Sequence, residues 1–120
     1  MMLNGRIPVL PTEDPEKVLQ CILNIFPGSE VQTSEDEMTF RSADASRFLE
    51  LLKEQQIRDT AIMVIERSFS GDRASFTLNK QAAFVGKVNF TDGSSHLGDL
   101  EIEVTEGAAE LIENIRPELD

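Results

Sequence analysis

The spacing of apolar residues changes period several times along this chain, and that constrains the fold more than any other feature. A strand buries every second residue, whereas a helix buries every third or fourth. Ala74, Phe76 and Leu78 alternate with polar neighbours, and Leu100, Ile102 and Val104 alternate with Glu101 and Glu103. Between and around these runs the spacing turns helical. Val18, Ile22, Ile25 and Phe26 make one stripe, Ala45, Phe48, Leu49 and Leu52 another, and Ala108, Leu111, Ile112 and Ile115 a last one. Both element types must therefore share one core.

The remaining signals order these pieces. Residues 2–10 read as a strand through Leu3, Ile7 and Val9, with Pro8 marking an edge or an irregular end. Thr12 or Asp14 can cap the first helix, Pro15 suits its first turn, and Pro27-Gly28 ends it. Residues 29–41 form a strand pair or one strand interrupted by Glu35-Asp36-Glu37, an acidic run expected to be a solvated turn. Ser42 or Asp44 caps the second helix, and a third starts near Ile57 with Ala61, Val64 and Ile65 inward. Ser70-Gly71-Asp72 is a turn. Residues 79–86 allow a helical turn or a loop, 87–90 a strand with Val88 and Phe90 inward, and Thr105 a cap for the last helix, which Pro117 stops. The expected class is α+β, a mostly antiparallel sheet with helices packed on one face, in a single domain over residues 1–120.

Composition narrows the chemistry. One cysteine excludes an internal disulfide, and Cys21 on a helical stripe reads as a small buried hydrophobe. One cysteine and one histidine cannot supply a protein-only zinc site, so no metal or other cofactor is expected. The seven glycines form no phosphate-cradling loop and no nucleophile elbow. His96 lies near Ser94, Ser95, Asp92 and Asp99, but neighbours in one loop seldom reach triad geometry, so no enzyme is expected. No apolar run reaches the ~20 residues of a membrane span, and the N-terminus lacks a signal-peptide core; a cytoplasmic location follows.

Charge is unevenly placed. The net charge is -11, yet residues 41–90 hold eight basic and six acidic side chains. Within that third, residues 75–90 interleave aromatics, amides and two lysines, a mixture suited to single-stranded RNA. Lys80 to Lys87 echoes the RNA-recognition-motif pattern at Lys80, Ala83, Phe84 and Val85, and departs from it at Gln81, Ala82 and Lys87.

Four pieces carry a family resemblance. They are Val9-Leu10-Pro11-Thr12-Glu13-Asp14 with Ile25-Phe26-Pro27; Ile57-Arg58-Asp59-Thr60-Ala61; the run from Phe76 to Phe90, FTLNKQAAFVGKVNF; and Leu97-Gly98-Asp99-Leu100, where the family often has proline at the place of Asp99. Across essentially its whole length the sequence resembles the archaeal uncharacterised protein family 0201. That resemblance implies a fold similar to the large-subunit ribosomal protein that contacts 5S RNA, grouping with RNA-binding or exosome-subunit-like proteins, and a homodimer.

Two functional expectations result. The first is an RNA-binding module with contacts at Arg58, Arg73, Asn79, Lys80, Gln81 and Lys87, the cations meeting phosphates and the amides reading base edges. The second is a protein-interaction or structural module, a dimer with Phe84 in its interface and acidic flanks steering a basic partner.

Overall fold

A computed structural model of the protein describes residues 1–93 and 98–116. Its elements run β1 (Met2–Pro8), α1 (Pro15–Ile25), β2 (Glu30–Thr33), β3 (Glu37–Ser42), α2 (Ser46–Glu54), α3 (Arg58–Arg67), β4 (Ala74–Asn79), α4 (Lys80–Phe84), β5 (Phe90–Thr91), β6 (Asp99–Glu106) and α5 (Ala108–Ile115). The strands form one six-stranded sheet in the order β2-β3-β1-β6-β4-β5, and every pairing is antiparallel. The expected α+β class holds, with the five helices packed against the sheet.

Register explains how one face becomes core. Val31, Phe40, Gly5, Ile102 and Phe76 lie opposite one another across five strands. Their neighbours Gln32, Thr39, Arg6, Glu101 and Thr77 form the next row, on the other face. Gly5 is required by close approach: a Cβ there would sit 2.2 Å from the ring of Phe40. Above this face Phe48 of α2 is a hub, stacked on Phe26 at 5.6 Å and on Phe76 at 5.5 Å, with Phe90 edge-on at 6.5 Å. Such aromatic pairs add to plain burial.

Several local expectations change. β1 is a central strand, and Pro8 stands at its last position, where no further ladder amide is needed. Residues 30–42 are two strands, closed by Ser34 N–H donating to Glu37 O at 2.8 Å. The expected strand over 87–90 shrinks to Phe90–Thr91, although Val88 is buried as foreseen. Thr105 does not cap the last helix; it lies within β6, and Asp72 from the β4 turn takes the capping role. Ser42 and Asp44 divide the start of α2: Asp44 Oδ1 accepts from the Ser46 amide at 2.9 Å, while Ala45 is the boundary residue.

Candidate nucleic-acid interface

Residues 79–87 are fixed at both ends by local chemistry. Asn79 Oδ1 accepts from the Ala82 amide at 2.8 Å and caps α4. At the other end Gly86, at φ +77, lets the chain reverse, so that its N–H reaches Ala83 O at 3.0 Å and Lys87 N–H reaches Ala82 O at 2.9 Å. These two bonds are the Schellman pattern, for which a glycine in the left-handed region is preferred. Asn24 Nδ2, from α1, donates to the carbonyls of Ala83 and Phe84 at 2.9 and 3.0 Å. The short helix is therefore anchored at both ends, with the Ala82 amide and the Ala82, Ala83 and Phe84 carbonyls bonded.

Its side chains divide into two rows. Lys80 and Ala83, three apart, face inward. Lys80 is 5% exposed, and its Nζ donates to Pro8 O at 2.8 Å and to Glu13 Oε1 at 2.9 Å. Glu13 Oε1 also accepts from the Leu10 amide at 2.9 Å. The lysine thus ties the end of β1 and the approach to α1 onto α4. Gln81, Phe84 and Val85 form the outward row, where a polar face would be expected. Phe84 is 42% exposed and Val85 67%.

A second segment meets this one. Gln55, at the end of α2, makes a paired contact with the Val88 backbone: its Nε2 donates to Val88 O and its Oε1 accepts from Val88 N–H, both at 2.8 Å. Lys87 is one residue before Val88, and Arg58 is three residues after Gln55. Arg58 shares a helical row with the buried Ala61 and Ile65 and is itself half-buried. Neither Arg58 nor Lys87 makes an ion pair among the described residues. Lys53, two residues before Gln55, is also exposed and without an ion pair among them.

The six residues singled out in the sequence therefore separate. Gln81 and Lys87 are exposed on α4 and just after it, while Arg58 is half-buried at the start of α3, three residues past the Gln55 that bonds Val88. Asn79 is a helix cap. Lys80 is interior, and its ammonium has no access to a phosphate in this arrangement. Arg73 lies on the open face of the sheet, ion-paired with Glu103. That face holds three arginines, Arg6, Arg41 and Arg73, against four glutamates, Glu30, Glu37, Glu101 and Glu103, and its rows carry no aromatic side chain on which a base could stack. The RNA-recognition-motif echo is overturned on the same grounds, because its aromatics belong on strands and residues 80–84 are helical. Local patterns could not show the Gln55–Val88 contact, whose partners are 33 residues apart.

The remaining candidates for chemistry are quiet. Burial pushes the Cys21 thiol up to about 11, the Lys80 ammonium opposing this and Glu13 adding to it, and the side chain is 2% exposed. Among the described residues no group of three His, Cys, Asp or Glu side chains could hold a metal ion. No helix among them is long and apolar enough to cross a membrane. Ser94, Ser95 and His96 lie outside the described residues.

Comparison with known proteins adds a different kind of observation. A family model described as RNA binding matches residues 3–106. The chain is 40% identical to a UPF0200/UPF0201 protein of Archaeoglobus fulgidus, over 81% of its own length and 30% of that longer protein. It is 38% identical to a UPF0201 protein of Methanocaldococcus jannaschii, over 91% of this chain and 68% of the relative. The fold matches a crystal structure of a UPF0201 protein from Methanococcus jannaschii with a TM-score of 0.88 at 32% identity, covering 100% of this chain and 96% of that one.

Proposed function

The chain belongs to the UPF0201 family of archaeal proteins, and from that membership we propose that it is an RNA-binding module acting through the edge formed by α4 and the Gln55–Val88 contact. One observation carries the location. The outward row of α4 exposes Phe84, the exposed Lys87 follows three residues on, and neither Lys87 nor the half-buried Arg58 makes an ion pair among the described residues. Elsewhere Arg6, Arg47, Arg73 and Arg116 are already ion-paired with glutamates. Unpaired cations are those that release counterions from a phosphate backbone.

Lys87→Ala and Arg58→Ala test the site in a fluorescence-anisotropy titration against labelled RNA. Each substitution weakens binding and lowers the salt slope by about 0.7, the single-strand value for one phosphate contact. Arg73→Ala leaves both unchanged. A loss confined to Arg73→Ala would move the site to the open sheet face.

The exposure of Val85 favours a second reading, in which the α4 tip holds a protein partner or a second copy in a homodimer. Under it Phe84→Asp converts a dimer to a monomer in sedimentation while RNA affinity is unaltered. In either reading the protein works in the cytoplasm.

A further inference from the structure

We infer that this edge, on the RNA-binding reading above, takes unpaired RNA and excludes duplex, with a base stacked on Phe84. A base inside a helix presents only its edge to a groove, whereas an unstacked base offers a face to an aromatic side chain. Phe84 faces outward on a helix whose backbone is tied at its ends by Asn79, Asn24 and the Gly86 reversal, so the ring is presented to solvent from an anchored turn. Its position three residues after Gln81 puts an amide on the same row, within reach of a base edge. Lys87 follows across the turn, and the Gln55–Val88 contact brings in the segment bearing Arg58.

Charge argues in the same direction. A duplex reader tracks phosphates across roughly 16 base pairs. This chain carries 22 acidic against 11 basic residues, and four of the arginines are already bonded to glutamates. A long polyanion laid on it meets repulsion beyond the local patch. A short single strand needs only the patch, because stacking supplies affinity independent of charge.

The sequence provides its own probe. It contains no tryptophan and no tyrosine, so Phe84→Trp introduces a lone indole at the platform. An unstructured 8-nucleotide RNA should quench that emission on binding, while a blunt duplex of the same sequence should not. Phe84→Ala should weaken binding of the single strand by about five- to hundredfold, as loss of one stacked base does, and Phe84→Trp should restore it. Circular dichroism melting checks that both variants fold. Equal binding of duplex and single strand, or single-strand binding without quenching, would overturn this inference and leave the RNA-binding reading standing. No binding of either at 50 mM salt would overturn both. An indole signal that moves with protein concentration in the absence of RNA would place a protein contact at Phe84 and overturn the stacking.

Discussion

Lys80 shows how far a single residue can be misread from its neighbours. In the sequence it is a lysine among amides and aromatics, the setting of a phosphate contact. In the fold it bonds to Pro8 and Glu13, 72 and 67 residues away. Nothing local announces partners at that distance; only the burial of Ala83 three positions on hints that this row faces inward. Removing the lysine leaves the partly buried Glu13 with only the Leu10 amide and solvent to meet its charge. Lys80→Met keeps the bulk of the side chain and should cost about 3 kcal/mol of folding stability, a fall in Tm of about 10 °C for a chain this size. Thermal melts at neutral pH measure it. A shift under a degree would mean that the tether is not holding α4. Gln81 and Lys87, by contrast, were legible as exposed, since they stand on the row opposite Lys80 and Ala83 or just beyond it.

Among the elements, α4 was half legible and the start of α5 was not. Asn79 and Gly86 are the ordinary signs of a helix start and stop, but five residues are too few for an apolar period, so helix and loop could not be separated. For α5 the nearby Thr105 looked like the cap. The fold instead brings Asp72 across: its Oδ2 accepts from Gly107 N–H at 2.7 Å and its Oδ1 from Ala109 N–H at 3.1 Å. The Ala109 and Gly107 amides, in that order of effect, hold the Asp72 carboxyl below its ordinary value. A carboxyl lowered on folding stabilises the fold above its unfolded value of about 3.9 and loses that effect as the pH falls through the folded one. Asp72→Asn should therefore melt below the natural chain at pH 7, and the gap should close as the pH drops from about 5 toward 2. A gap that stays constant over that range would show that the carboxylate charge has no part in the cap.

At the scale of the whole molecule, the alternation in β4 and β6 and the stripes on α1, α2 and α5 were enough to give the class, because period reports burial directly. They could not give the strand order. β1 pairs with both β3 and β6, and those partners come from distant stretches of the chain, Glu37–Ser42 and Asp99–Glu106. The order bears on function as well as shape: it sets Arg6 beside Glu101 and Arg73 beside Glu103 on the open sheet face, while on the α4 edge the exposed Phe84 is followed by an exposed Lys87 that makes no ion pair among the described residues. A chain with net charge -11 can bind RNA there only if this local patch outweighs the field around it. The direct test is affinity of the intact protein for a labelled, unstructured RNA across a salt series. Two phosphate contacts, at Arg58 and Lys87, give a slope of about -1.4, which is about sevenfold weaker binding at 200 mM than at 50 mM salt. Absence of binding at 50 mM, or an affinity indifferent to salt, would contradict the account.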